Sequence, residues 1–195
     1  MLVAKVSGNV LSERLRPREP VVRLTIAQGI IKGDRMTQMV ESVAQLGVER
    51  IVPLVTRRVV AGLSPARLSH LRRVAAEAMK SSAGSVMPAI DEPVPVREFV
   101  KRFAEFDAVL VADEDETEKG LPQVLPRVAT LLLVVGPEGG FEREEIEMLS
   151  RAGARCFSMG PRRFRAETAS LVAAAMAYSA LGELGPITRP TEGRC

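Results

Sequence analysis

The hydrophobic positions of the chain alternate between short β-rich runs and segments with helical spacing. Strands are predicted at VVRLTIAQ, RIVPLV, DAVLVAD, TLLLVV and ARCFSM, and between most of them apolar residues recur every three or four positions. Strands that alternate with helices are typical of α/β proteins with a largely parallel sheet. The sequence therefore predicts an α/β fold with an open parallel sheet.

Start and stop signals place the predicted helices along the chain. Asp34 is predicted to cap a helix that ends at Gly47, while Ser64 and Pro65 begin a long helix that ends near Gly84. Further helices are predicted over about 96–105 and 142–152, and a last helix over about 166–184.

The last predicted helix carries no charged residue from Thr168 to Gly182. A helix that is apolar nearly all round must be covered on most sides. It is either a core helix of its own domain or a helix that packs partly on a second copy of the chain. Because the terminal helix of a small domain is rarely surrounded by its own chain, we expect a homodimer. The residues expected at its contact are Leu171, Val172, Ala175 and Tyr178.

Length and composition allow one domain with a full core. The two cysteines, Cys156 and Cys195, have no nearby histidine or Cys-x-x-Cys partner, so neither a disulfide framework nor a metal site is expected. The longest apolar run, 128–135, is too short to cross a membrane, and we expect a protein of the reducing cytoplasm. The net charge of +3 fits an anionic partner and also many ordinary enzymes.

Two predicted strands end in the same dipeptide. Gly136-Pro137 follows TLLLVV, and Gly160-Pro161 follows the strand that contains Phe157. In open parallel sheets, ligands bind beyond the carboxyl ends of the strands. The paired Gly-Pro turns therefore predict one shared pocket.

The first turn, GPEGGF, resembles no phosphate-binding loop. It lacks the G-K-[ST] of a Walker A motif and the G-x-G-x-x-G of dinucleotide folds, which disfavours a nucleotide-hydrolysing enzyme. Glu138, Glu142, Glu144 and Glu145 crowd the following helix start, where carboxylates stabilise the helix but repel a phosphate chain. We therefore predict a neutral or cationic adenosine derivative as ligand, of which S-adenosylmethionine is the obvious one. Glu144 and Glu145 are interpreted as helix stabilisers.

The second turn, MGPRRFRAETAS, places three arginines around one phenylalanine. Arg162, Arg163 and Arg165 surround Phe164 just before a helix start. Such a cluster binds backbone phosphate or orients a base edge, and a solvated basic loop is the alternative.

The segment from GPEGGF through MGPRRFRAETAS resembles the C-terminal half of the bacterial 16S ribosomal RNA uracil-N3 methyltransferases, members of the SPOUT superfamily. With KGDRM and VAQLGVERIVPLVTRR upstream, the resemblance runs from about Gln28 to Leu184. It implies a SPOUT-type sheet with a C-terminal trefoil knot, a homodimer, and S-adenosylmethionine bound by the knot loops. It also implies a methyltransferase domain over 21–195, preceded by a remnant of a PUA-like barrel and linker over 1–20.

The resemblance assigns roles to residues at matching positions. Arg165 is implied to steady the uracil anion, and Glu167 and Thr168 to place the base or the loop. Glu138 is a candidate proton acceptor if it is buried. Arg58, Arg162 and Arg163 are expected to bind RNA. The implied cofactor-binding residues are Val111, Ala112, Asp113, Val134, Val135, Gly136, Pro137, Glu138, Gly139, Gly140, Ser158, Met159, Gly160, Pro161, Phe164, Arg165 and Thr168.

The implied reaction is methyl transfer to N3 of a uridine, in 16S ribosomal RNA or the assembled small subunit. Since N3 lies on the Watson–Crick edge, the base must be unpaired or extruded and must lose its N3 proton. One segment departs from the family pattern E-A-x-x-Q-S-G-R, because Ser81 and Gly84 replace its Gln and Arg. This departure keeps an alternative open, a catalytically impaired, truncated RNA-binding relative that retains the knotted dimer.

Overall fold

The computed structural model describes residues 20–58, 62–84 and 86–185, and its centre is a parallel sheet. The strand order is β3-β2-β1-β6-β5-β7, with β4 also pairing with β2, and every pair is parallel. The predicted α/β class with a parallel sheet is confirmed. The predicted barrel remnant lies, except for Pro20, outside the described residues. The strands are β1 Arg23–Gly29, β2 Arg50–Val55, β3 Ala89–Ile90, β4 Val94–Pro95, β5 Ala108–Ala112, β6 Thr130–Val135 and β7 Arg155–Phe157.

The predicted helices are confirmed, with small differences at their ends. Ser64 caps α2 by accepting the Arg67 N–H at 3.3 Å. Asp34 holds the N-cap position of α1 without a side-chain cap bond, because its backbone is helical rather than extended there. The last helix ends at Leu181 rather than Leu184, since Gly182 takes a left-handed conformation with φ 80°. The helices are α1 Arg35–Ala44, α2 Pro65–Ser81, α3 Val96–Phe99 continued by a 3-10 helix Val100–Glu105, α4 Leu121–Val124, α5 Arg143–Arg151 and α6 Ala166–Leu181.

Helices cover both faces of the sheet, as its apolar strands require. On one face α1, α2 and α6 enclose a core that includes Leu24, Ile26 and Leu133. On the other, α3 and α5 pack over Val52 and Leu132. Because successive residues of a strand point to opposite faces, each central strand contributes to both cores. The helices cover the faces of the sheet and leave the carboxyl ends of the strands as its open edge.

Helix α6, in which Glu167 is the one charged residue, is covered by its own chain along one side. Tyr178 is fully buried, and its hydroxyl donates to the Gly47 carbonyl at 3.1 Å. Its predicted place at a dimer contact was therefore wrong, because it presents no surface to a second copy. Leu171, Val172 and Ala175 are half-buried and keep part of their apolar surface exposed.

The chain passes close beside the loop after β5 on its way into α6. The Ser158 N–H donates to the Lys119 carbonyl at 2.8 Å, and Gly120 forms a parallel bridge with Ser158. From there α6 contacts α4, β6, β1 and α1. The last helix thus returns from the sheet edge at β7 across the face of the sheet.

The end of α6 is tied to the start of β1. The carboxylate of Glu183 accepts the backbone N–H of Val21 and that of Val22, each at 3.0 Å. This clamp joins positions about 160 residues apart in the chain.

None of the helices in the described ranges is both long and apolar enough to cross a membrane.

Candidate active site

A cleft of about 1340 Å³ lies beyond the carboxyl ends of β5, β6 and β7. Three loops form most of its wall, at 112–117, 135–141 and 158–165, together with the first turns of α5 and α6. Both Gly-Pro turns line this cleft, so the shared pocket predicted from their pairing is confirmed.

Most of the residues assigned by resemblance lie around this cleft. The loops bring together backbone and side chains that are far apart in sequence. The predicted cofactor residues that line it are Ala112, Asp113, Val135, Gly136, Pro137, Glu138, Gly140, Ser158, Met159, Gly160, Pro161, Phe164 and Arg165, and the predicted RNA-binding residues that line it are Arg58, Arg162 and Arg163.

Five predicted site residues lie elsewhere. Val111 and Val134 are fully buried in the core beneath α3 and α5, because alternation along the strand turns them away from the cleft. Gly139 borders a neighbouring hollow of about 520 Å³ together with Arg58. Thr168 is exposed outside the cleft lining. Glu167 is half-buried, and its Oε2 atom has no hydrogen-bond partner among the described residues.

The first glycine turn folds tightly on itself. A Cβ atom on Gly136 would lie 3.2 Å from the Cα of Gly140, and the Gly140 N–H donates to the Pro137 carbonyl at 2.9 Å. Gly140 has φ 69° and Gly160 has φ 95°, which glycine adopts without strain. Both turns therefore present backbone to the cleft at points where a side chain would fill the space or strain the chain.

Glu145 fixes the start of α5, as interpreted from the sequence. The side chain is buried, and its Oε2 accepts the Glu142 N–H at 2.9 Å as in a capping box. Its Oε1 accepts the Arg57 N–H at 2.9 Å, which ties the loop after β2 to the helix. Glu144 is exposed and lies 3.4 Å from the Arg57 guanidinium. These two carboxylates hold local structure.

Glu138 is held by the loop that follows β1. Its Oε1 accepts the Lys32 N–H at 3.0 Å and lies 3.6 Å from the Arg35 guanidinium. The side chain keeps 29% of its surface exposed. Burial was the condition for its predicted role as proton acceptor, and the side chain does not meet it. The geometry makes Glu138 a clamp on the turn.

The charges of the cleft are divided between two walls. One is the acidic wall, defined as Asp113, Glu114, Asp115 and Glu116, and the other is the arginine loop, residues 162–165. The pKa of the Glu116 carboxyl is lowered because it accepts the backbone N–H groups of residues 118 and 119, which keeps it ionised.

One ion pair joins the two walls, and two arginines remain unengaged. Glu114 and Arg163 lie 3.2 Å apart across the mouth of the cleft. Within the described part of the chain, the guanidinium groups of Arg162 and Arg165 form no ion pair or hydrogen bond. These two groups are therefore available to an anionic ligand.

Several cleft residues were not predicted from the sequence. Glu114, Asp115 and Glu116 follow β5 directly, so the same argument about strand ends that found the Gly-Pro turns also applies to them. Phe141, just before α5, and Ile146 within it also line the cleft. Phe141 belongs to the GPEGGF turn, whereas no motif marks Ile146.

The residues of the cleft fit a cationic adenosine derivative. Its lining contains no lysine, and apolar surface comes from Val135, Phe141, Ile146 and Met159. The acidic wall favours positive charge on the side of the cleft that it lines, whereas the arginine loop leaves its own side to an anionic group. Within the described ranges, no group of three or more His, Cys, Asp or Glu residues is placed to hold a metal ion.

The sequence matches the family model described as an RNA methyltransferase domain over residues 17–178. The chain therefore belongs to this family of RNA methyltransferase domains, which confirms the resemblance identified from the GPEGGF and GPRRFRAETA motifs. A curated relative is ribosomal RNA small subunit methyltransferase E of Bacillus subtilis. It is 30% identical over 180 residues, which cover 87% of this chain and 70% of the relative.

Solved structures share the fold at similar identity. A methyltransferase from Legionella pneumophila, in complex with the bound cofactor SAM, aligns with TM-score 0.78 and 29% identity over 84% of this chain and 68% of its own. Ribosomal RNA small subunit methyltransferase E from Neisseria gonorrhoeae, bound to S-adenosyl methionine, aligns with TM-score 0.77 and 26% identity. That match covers 83% of this chain and 67% of the Neisseria chain.

Proposed function

We propose that the protein transfers a methyl group from S-adenosylmethionine to N3 of a uridine in 16S ribosomal RNA of the small subunit. Family membership and the names of the relatives support the reaction class. The observation that carries the proposal is the cleft, in which two Gly-Pro turns, an acidic wall and the unpaired Arg165 lie together.

The two turns would hold the cofactor mainly through backbone groups. When bound, S-adenosylmethionine supplies an electrophilic methyl group on a positively charged sulfonium. Gly136 and Gly140 expose their backbone where a side chain would press on the turn itself or strain the chain. The apolar surface of Val135 and Met159 suits the adenine, and the acidic wall favours the positive charge.

Arg165 is the residue placed to stabilise negative charge on the substrate. It stands at the N-cap of α6, with its guanidinium exposed at the cleft and without a partner among the described residues. Loss of the N3 proton leaves negative charge on the uracil, and a preorganised cation beside it lowers the barrier. We propose that Glu167, in the first turn of α6, places the loop that carries Arg165.

The remaining arginines would bind the RNA backbone. Arg162 has no partner among the described residues, and Arg163 pairs with Glu114 while keeping 82% of its side chain exposed. Arg58 donates to the Gly139 carbonyl and lies 3.3 Å from Glu142, which keeps it beside the first turn. Arginine at such a rim suits phosphate, which it binds through two parallel donors.

The proposal includes a trefoil knot and a homodimer in the cytoplasm, with residues 21–195 as the methyltransferase domain. The passage of the chain beside residues 119–120 and the return of α6 across the sheet support the knot. The partly exposed Leu171, Val172 and Ala175 support the dimer.

Two measurements test the proposal in sequence. Isothermal titration with S-adenosylmethionine is expected to show binding at micromolar to millimolar concentration. Transfer of labelled methyl groups into small subunits that lack the modification, followed by nucleoside mass analysis, is expected to yield N3-methyluridine. If no binding is detected at millimolar S-adenosylmethionine, the proposed enzymatic function is contradicted. Binding without methylation of subunits or free 16S RNA favours the RNA-binding relative, to which the Ser81 and Gly84 departures point.

A further inference from the structure

Gln28 is a buried polar side chain at the carboxyl edge of the sheet. It is the last residue but one of β1, and it is fully buried without lining the cleft. A buried carboxamide is costly unless its donors and acceptor find partners. Each polar atom of Gln28 has such a hydrogen-bond partner, and these partners belong to different parts of the proposed site.

The two ends of the Gln28 amide contact two different parts of the proposed site. Its Nε2 donates to the Gly29 carbonyl and to the Gly136 carbonyl, each at 2.8 Å. Its Oε1 accepts a hydrogen bond from the hydroxyl of Ser170, which is also fully buried. Gly136 begins the first turn, and Ser170 lies in the helix that Arg165 caps. One amide therefore connects the turn to the helix.

The same stretch of chain supports the rest of the first turn. A Cβ atom on Gly29 would lie 2.5 Å from the Cδ of Pro137, so the two residues are in direct contact. The Lys32 N–H donates to Glu138 at 3.0 Å. Consecutive residues of the turn, 136–138, thus each rest on the segment 28–32. Gln28 also reaches α6, through its hydrogen bond with Ser170.

We propose that Gln28 is a positioning residue, whose amide holds the glycine turn of the cofactor site in register with the Arg165-bearing end of α6. This inference rests on the proposed function and adds to it. Methyl transfer requires the methyl donor and the charged group that stabilises the base to be aligned within a fraction of an ångström. Gln28 touches neither ligand and acts through Gly136 and Ser170.

Three substitutions distinguish the contact of Gln28 with the glycine turn from its contact with α6. Gln28→Met has similar size and removes every polar contact. Gln28→Glu retains an acceptor for Ser170 and keeps at most one of the two donations to Gly29 and Gly136, since a protonated carboxyl has a single donor. Ser170→Ala retains both donations and removes only the contact to the helix.

Each variant has its own expected result. Gln28→Met and Gln28→Glu should weaken the Kd for S-adenosylmethionine by about tenfold, the size expected from an unpaired buried carbonyl. Ser170→Ala should leave that Kd within about twofold of wild type and reduce kcat at saturating cofactor by about tenfold or more. This split between Kd and kcat is not expected from a residue that only stabilises the fold.

Tyr178→Phe is the matched control. It removes a buried hydrogen bond at the opposite end of α6, from the Tyr178 hydroxyl to Gly47, and should lower the melting temperature without moving the Kd or kcat. Should it reproduce the losses of the Gln28 variants, the inference fails. If Gln28→Met does not fold, the same comparison of Kd with kcat is made for Gln28→Glu and Ser170→Ala.

Failure of the inference is distinguishable from failure of the proposed function. If wild-type protein does not bind S-adenosylmethionine, the proposed function falls and the positioning role falls with it. If wild-type protein binds and methylates, and the Gln28 variants match its Kd and kcat, only the positioning role is overturned.

Discussion

Gly29 lies against Pro137 so closely that a single methyl group on Gly29 would overlap the proline ring. A Cβ atom built there would lie 2.5 Å from both the Cδ and the N of Pro137. The contact joins the end of β1 to the first turn of the cleft. Glycine is needed at position 29 because of space and not because of its backbone angles.

Substituting Gly29→Ala should therefore disturb the turn. We expect the free energy of unfolding to fall by about 1–3 kcal/mol, the usual cost of overpacking, and the Kd for S-adenosylmethionine to rise. Gly62→Ala is the control, since no atom of the described residues, its chain neighbours apart, lies within 4 Å of a Cβ at that position. Urea unfolding and cofactor titration measure both effects. A Gly29→Ala variant as stable as Gly62→Ala would contradict the contact.

Arg165 should matter for turnover more than for cofactor affinity. Arg165→Ala is expected to reduce kcat by about 10²–10³-fold, as removal of a preorganised charge stabiliser does, while the Kd for S-adenosylmethionine changes little. Arg162→Ala removes a neighbouring unpaired arginine and should mainly weaken RNA binding. Single-turnover methylation at saturating RNA separates the two effects. Equal kcat losses in both variants would argue against a special role for Arg165.

Asp107 should make stability depend on pH in the acid range. Its Oδ2 accepts the N–H groups of Thr130 and Ala129, each at 2.9 Å, and these bonds lower the pKa of the carboxyl below its usual value. A lowered pKa contributes stability that is present above the unfolded pKa and is lost as pH falls through the folded pKa.

Asp107→Asn should lower the urea midpoint at pH 7, and the difference from wild type should shrink below about pH 3.9. Urea titrations at a series of pH values measure this. A difference that is constant across the acid range would show that the carboxylate charge is not the cause. Asp115→Asn removes an exposed carboxylate elsewhere and is the control for general charge effects.

Ala83 is the one described non-glycine residue with positive φ, at 56°. It follows the C-cap of α2, a position where glycine is preferred and where the resembling family has glycine. Ala83→Gly should raise the free energy of unfolding by about 0.5–1 kcal/mol, since relief of backbone strain exceeds the added unfolded-chain entropy. Ala76→Gly inside the same helix should lower it by about 1 kcal/mol. If both substitutions change the free energy of unfolding in the same direction, backbone strain at Ala83 is excluded as the cause.

Leu171→Glu should favour the monomer. Leu171 is half-buried on the side of α6 that its own sheet leaves uncovered, and a charge there would be desolvated by a second copy. Sedimentation equilibrium is expected to show a dimer for wild type and a monomer for the variant. Ala104→Glu, at an exposed position of the 3-10 helix on the opposite face of the sheet, should remain dimeric. Identical masses for all three proteins would contradict a contact at Leu171.

Much of the architecture was predictable, because local patterns determine it. Period-two and helical spacing located each of the longer elements, and Ser64 and Glu145 stabilise helix starts as their chemistry indicates. The shared cleft followed from a general property of parallel sheets, whose strand ends all face one edge. The end of α6 was missed by three residues because the conformation of Gly182 competes with a continuing apolar pattern.

What remained hidden depends on contacts between distant parts of the chain. Gln28 reads as a polar residue at a strand end, whereas its partners Gly136 and Ser170 lie 108 and 142 positions away. Tyr178 was expected at the dimer interface because residue spacing does not show which face of a helix is covered by the sheet of its own chain. A knot is implied by the resemblance alone and stays a proposal, since a path through space leaves no periodic signal in sequence.

The Glu183 clamp lies where mechanical force applied to the two ends of the described chain would enter the domain. Residues 20 and 185 are the outer ends of the described chain, and two hydrogen bonds from Glu183 to Val21 and Val22 lie between them. Tension applied at the two ends, by an optical trap or an unfolding motor, therefore loads these bonds first. Once they break, we expect the load to enter α6 at Gly182 and β1 at Val22. Because Gln28 lies in β1 and Ser170 in α6, the force then approaches their hydrogen bond along both elements.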